Sequence, residues 1–325
     1  TEPASAPPST TAAPPTTTAD TTTTTSEPPV TTTTGDPEAP AVMGPIQPDT
    51  VLQLTAGALQ PDPLDARDDL PAVYREGCHQ NQTDTAVLSC NYGDPEPRGQ
   101  VAIVGDSHAA MWVPPLRKIA EDQGWELRTI TKSNCQLADV VIANGEQLRP
   151  YDNCVEWNER VVEELITTRP DLVVVAGRFW PILIGDDGLV DGTAREIALA
   201  AALERSWAQL AAAGLHMVAL QDVPHPEFDV AECVSESLDD LQQCSLDRTE
   251  VMAENTPHAT AADRVGIGIV DLTDQICFED VCPPVIDDIL VWRDSHHLTA
   301  TYARLLADVM AEQLRQIAPS VFGDA

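Results

Sequence analysis

The chain has 325 residues, 18 of them lysine or arginine and 52 aspartate or glutamate, for a formal net charge of -34. So acidic a chain has little with which to neutralise phosphates, which argues against nucleic-acid binding, and it is repelled by anionic lipid. No stretch carries the ~20 uncharged apolar residues of a membrane span; the longest apolar run, 197–220, is interrupted by Glu204 and Arg205.

Residues 1–48 are Thr/Pro/Ala-rich, and the first basic residue is Arg67. Such a segment lacks the large side chains that offset chain entropy, so it reads as a disordered stalk of the kind found outside cells. The chain starts at Thr1 rather than Met, which leads us to expect a further segment upstream. Residues 49–325 read as one catalytic-sized domain, which holds all eight cysteines: Cys78, Cys90, Cys135, Cys154, Cys233, Cys244, Cys277 and Cys282. An even count beside a stalk predicts disulfides in an oxidising compartment. Chain neighbours are the simplest partners: 78 with 90, 135 with 154, 233 with 244, 277 with 282. The segment "CFEDVC" lacks metal-ligand spacing and a nearby histidine, so no metal and no cofactor is expected.

Short apolar runs at 100–104, 126–131, 171–176, 215–221 and 267–272 read as strands. Amphipathic stretches at 108–122, 154–168, 193–213 and 299–317 read as helices, the last capped by Thr299. This alternation predicts an α/β fold, a doubly wound parallel sheet with helices on both faces. Residues 222–263 form an oversized connection, expected to be a flap over the strand ends or a disulfide-stapled decoration.

Gly105, Asp106, Ser107 and His108 follow the first of these strands, and ligands of open parallel sheets bind beyond the strand carboxyl ends. At a helix start, the Ser107 N–H is an unpaired donor that would stabilise an oxyanion. A serine needs a base, and a base needs an orienting carboxylate. Near the other end stands "VWRDSHHLTATYA", in which Asp294 and His297 are spaced to face the same way across one turn. His296 is a rival base that spacing does not exclude.

Those two motifs together, with "GCHQ", "KSNC" at 132–135, "CVEWNERV" at 154–161 and "RPDLVVVAGRFW" at 169–180, resemble the SGNH hydrolases. The closer resemblance is to the soluble SGNH domains that follow the integral-membrane acyltransferase-3 domain in bacterial envelope O-acyltransferases. It implies a flavodoxin-like fold over residues 70–317. It implies Ser107 as nucleophile, His297 as base and Asp294 as orienter. It also implies an extracytoplasmic enzyme, tethered through the stalk to a membrane partner domain, that moves an acyl group, most simply acetyl, onto an envelope glycan. The family's Gly-x-Asn oxyanion motif is absent, since Gly177 is followed by Arg178 and Phe179. The backbone at Ser133 and Asn134 is then the expected second oxyanion donor. Arg178 stands either in support or in a surface ion pair. Trp112, Phe179, Trp180 and Trp292 are candidates for stacking on sugars. The alternatives are a secreted carbohydrate or lipid esterase and, in another class, a non-catalytic glycan-binding module.

Overall fold

The computed structural model describes residues 59–144, 147–252 and 256–323. The expected stalk, 1–48, lies outside them. The strands of the main sheet are β1 (His79–Gln80), β2 (Cys90–Gly93), β3 (Gln100–Gly105), β4 (Glu126–Lys132), β5 (Leu172–Ala176), β6 (Met217–Leu220) and β7 (Gly268–Val270). Their order is β1-β4-β3-β5-β6-β7, all parallel, with β2 antiparallel on β4. The five long-range parallel strands thus run second, first, third, fourth, fifth, the flavodoxin-like order, whose switch point lies between β3 and β5.

Alternate residues of each strand enter opposite cores. Val101 and Ile103, Leu172 and Val174, and Val218 and Leu220 pack on one face. Ala102 and Val104, Val173 and Val175, and Met217 and Ala219 pack on the other. Both faces are buried, so these strands read as continuous apolar runs rather than alternating ones. The first face is covered by α1 (Ser107–Ala110), α2 (Val113–Gln123), α6 (Ala300–Leu305) and α7 (Ala307–Ile317). The second is covered by α3 (Asp152–Thr168), α4 (Gly192–Ala212) and α5 (Pro257–Val265).

Three expectations change in detail. The helix expected at 108–122 is broken at Met111 and Trp112, ahead of the Pro114-Pro115 pair that starts α2. The C-terminal helix breaks at Leu306, although Thr299 caps it as expected, its Oγ1 accepting from Tyr302 N at 3.0 Å. The connection expected to run to 263 ends earlier, because α5 is an ordinary crossover helix on the sheet. The irregular part of that connection pairs Leu246–Asp247 antiparallel with Val281–Cys282. A second small sheet, 141–144, 149–150, 183–185 and 188–190, was not read from the sequence. Disulfides close Cys78–Cys90, Cys135–Cys154, Cys233–Cys244 and Cys277–Cys282, and no cysteine is free. No helix among the described residues is long and apolar enough to cross a membrane.

Candidate active site

The turn after β3 is built around glycine. Gly105 has φ +150°, and a Cβ there would lie 1.8 Å from Ala176 O on β5. This lets β3 and β5 approach at the switch point and delivers Ser107 at the sheet edge. Asp106 caps α1: its Oδ1 accepts from His108 N at 2.8 Å, and its Oδ2 accepts from Arg178 N at 3.2 Å. One carboxylate thereby ties the loop after β3 to the loop after β5.

Ser107 opens onto a cavity of about 370 Å³ with Tyr74, Ser133, Asn134, Arg178 and His296 among its walls. A larger groove, about 680 Å³, lies between 238–247 and 278–285. Its lining has hydroxyls and carboxylates but no histidine to serve as base, so size does not make it the reaction site. Part of the Ser107 cavity, Ala143, Asn144 and Ile182, comes from the second sheet and its flanks.

The loop between residues 290 and 300 brings in the other motif. Asp294 Oδ1 accepts from the His296 and His297 N–H groups, each at 2.8 Å, and Oδ2 accepts from His297 Nδ1 at 2.8 Å. That bond fixes the His297 hydrogen on Nδ1 and leaves the Nε2 lone pair, which is buried and has no hydrogen-bond partner. Burial pushes the His297 imidazole down to about 4 against the pull of Asp294, with His108 and Arg293 adding to the fall. Burial works against the Asp294 carboxylate, but the bond from His297 and the charge of Arg293 hold it below the usual range. At neutral pH the pair is therefore a neutral imidazole on an ionised carboxylate, the state a general base requires. His297 lies beside the serine turn, its ring centroid 4.9 Å from that of His108. No hydrogen bond joins Ser107 to His297 among the described residues.

The expected oxyanion groups divide. The Ser133 N–H is already donated to Gln80 O at 2.9 Å, so it is not a free donor, which corrects that part of the expectation. The Ser133 hydroxyl instead sits 3.0 Å from His79 Nε2, whose Nδ1 is 2.9 Å from Thr131 Oγ1. Asn134 takes a left-handed backbone, φ 53°, and its N–H makes no hydrogen bond among the described residues, nor does that of Ser107. Cys135–Cys154 anchors this loop to α3. Gly177 is not on the cavity wall; a Cβ there would meet Gln136 Cβ at 2.6 Å, so the glycine serves close packing. Arg178 is not in a surface ion pair. It lines the cavity, and its Nη2 donates to Asn134 Oδ1 at 3.1 Å, placing a cation against the loop. Two of the four aromatic candidates are core: Trp112 is 2% exposed and Trp292 0%. Phe179 and Trp180 are half-buried, and the Trp180 face is covered by His225, centroids 3.7 Å apart.

Sequence reading missed Asp222. It follows β6 and is fully enclosed, yet it reaches His108, 114 residues away in sequence, with Nδ1 at 2.6 Å from Oδ1. Burial raises this carboxyl to about 7. Its one sequence signal was an aspartate at a strand's carboxyl end, in "LQDVP".

A serine at the switch point of a flavodoxin-like sheet, across from an aspartate-bound histidine, defines the SGNH type of serine enzyme, whose chemistry is acyl transfer or ester hydrolysis. Residues 77–312 match the family described as the SGNH domain fused to AT3 domains, and the chain belongs to that family. Among solved structures it is similar to the periplasmic domain of a lipopolysaccharide acetyltransferase from Salmonella ser. Paratyphi A. The two share 16% identity over 80% of this chain and 99% of that one, with a TM-score of 0.57. It is also similar to a GDSL-like lipase from Bacteroides thetaiotaomicron VPI-5482, at 14% identity, 68% and 88% coverage and TM-score 0.37. An acetyl-xylooligosaccharide esterase from Geobacillus gives 12%, 67% and 94%, and 0.36. Comparison with curated protein sequences gives no match.

Proposed function

We propose that this chain is an extracytoplasmic serine O-acyltransferase that moves an acyl group, most simply acetyl, onto a hydroxyl of a cell-envelope glycan through an acyl-serine. Ser107 is the nucleophile, His297 the base and Asp294 its orienter. The observation that carries this reading is the Asp294–His297 pair beside the Ser107 turn, its Nε2 lone pair unclaimed. His297 takes the Ser107 proton as Oγ attacks the donor's carbonyl carbon, and then returns it to the leaving group. The oxyanion is met by the Ser107 and Asn134 N–H groups, with the Arg178 cation behind Asn134. In the second half the acceptor hydroxyl gives its proton to His297, attacks the acyl carbon and expels Ser107, which takes that proton. Family membership supports a membrane acyltransferase-3 domain as donor partner, and residues 1–48 would be the stalk between them. The envelope acceptor is in keeping with the lipopolysaccharide acetyltransferase whose fold this chain shares.

The test measures turnover of an activated acetyl ester and labelling by a fluorophosphonate. Ser107→Ala should abolish labelling, and Ser107→Ala and His297→Ala should each lower turnover by about 10⁴-fold or more with an unchanged circular dichroism spectrum. An unlabelled wild-type chain would make it a binding module. Turnover that no glycan fragment accelerates or diverts would make it an esterase.

A further inference from the structure

His296 stands next to the proposed base but is wired to a different carboxylate. Asp222 accepts from three N–H groups: Val223 N at 2.8 Å and His108 Nδ1 at 2.6 Å on Oδ1, and Phe179 N at 3.0 Å on Oδ2. With a carboxylate on its Nδ1, His108 carries its hydrogen there and a lone pair on Nε2. That Nε2 lies 3.2 Å from His296 Nδ1, which must then be the donor. The hydrogen-bond network thus assigns a lone pair to His296 Nε2 as well. Asp222 and His108 are buried, whereas His296 forms part of the cavity wall with Ser107 and Ser133. His296 Nε2 makes no hydrogen bond among the described residues and is not among the enclosed unpartnered atoms. Trp180 flanks the ring edge-on, centroids 6.4 Å apart at 82°, and His225 closes in at 6.3 Å, so the ring is held where it is.

We propose that His296 is a specificity residue of the acceptor subsite. Its Nε2 receives the hydrogen of a second free hydroxyl, beside the one being acylated, and His108 and Asp222 act as positioning residues that fix its tautomer. This rests on the acyl-transfer reading above. A hydroxyl next to the reacting one is the mark of sugars and other polyols, and a hydroxyl rotates to donate. An ether, an ester or a carboxylate at the same place brings only lone pairs and sets two acceptors against each other, at the cost of an unpaired buried group. The subsite therefore takes a polyol whose neighbouring hydroxyl is free and turns away one already acylated or oxidised to an acid there.

Two alcohols of the same skeleton test this: trans-cyclohexane-1,2-diol and trans-2-methoxycyclohexanol. Each competes with water for the acetyl group of an activated ester at pH 8, where Asp222 is a carboxylate. Wild type should favour the diol about tenfold per hydroxyl, the value of one hydrogen bond. Asp222→Ala removes the acceptor that keeps the hydrogen on His108 Nδ1, so His296 Nε2 is no longer held as an acceptor and the preference for the diol should shrink. His296→Leu, at a half-buried position and independent of Asp222, should remove the preference without reversing it. Wild type acylating both alcohols without preference, or a preference unchanged in His296→Leu, overturns the proposal and leaves the transfer reading standing. Hydrolysis with no acylation of either alcohol overturns both.

Discussion

At the residue scale the proposed chemistry turns on where two imidazoles keep their hydrogens. Asp294 fixes His297 and Asp222 fixes His108, and those two rings lie 4.9 Å apart, centroid to centroid. Because burial carries His297 down to about 4, the proposed base stays neutral well below the ordinary histidine range. The burst of ester acylation should be level from pH 8 to about 5 and fall only below that, since protonating Nε2 removes the acceptor for the Ser107 proton. A midpoint at 6.5 or higher in pre-steady-state rates would count against this assignment. Asp294→Asn should cost about 10⁴-fold in acylation, because an amide holds the wrong tautomer. The serine, the aspartate and the histidine were legible as motifs, since each stands in a short local pattern. Asp222 was not, because its partner lies on another strand's loop and only folding makes the pair.

At the element scale, the long strands and helices were readable because each has a single local rule. Continuous apolar runs mark strands covered on both faces, and 3.6-residue periodicity marks the helices over them. Strands of two to four half-exposed residues, such as His79–Gln80, Cys90–Gly93 and Leu183–Gly185, carry no such rule and are made by pairing alone. They nonetheless shape the site: β1 holds His79 against Ser133, and the second sheet walls the cavity. The disulfide Cys135–Cys154 links the loop of Ser133 and Asn134 to α3 across 19 residues. Replacing both cysteines with serine should lower unfolding free energy by about 3 kcal/mol in the chain-entropy account. It should also slow acylation more than it raises the KM for the ester, since Asn134 loses its fixed place. Denaturant melts and burst rates check the two parts separately. A fall in stability alone would remove Asn134 from the oxyanion site.

At the scale of the whole molecule, acid sensitivity follows from the histidines. His79, His225, His258, His296 and His297 are each pushed down to about 4 by burial, from an ordinary value of 6.5. Between those values the unfolded chain binds protons that the folded chain refuses. Stability present above pH 6.5 is therefore lost as pH falls toward 4. Asp222, raised to about 7 by burial, and Asp106, raised by burial as well, work in the opposite direction across that window, two carboxyls against six histidines once the lowered His108 is included. The melting temperature at fixed ionic strength should decline from pH 6.5 to 4, and a level or rising Tm there would contradict the burial of these rings. By itself, the sequence determined the strand–helix alternation, the acidic surface and the motif residues, because apolar periodicity, charge and short spacing are local properties of a chain. Only the tertiary structure decided that Ser133's N–H is already used, that Arg178 faces the cavity and that Trp112 and Trp292 are core. It also decided that His296 is linked through His108 to Asp222. Each of these depends on which distant segment fills the space or the hydrogen-bonding capacity of a group, and that is set when the sheet closes its order.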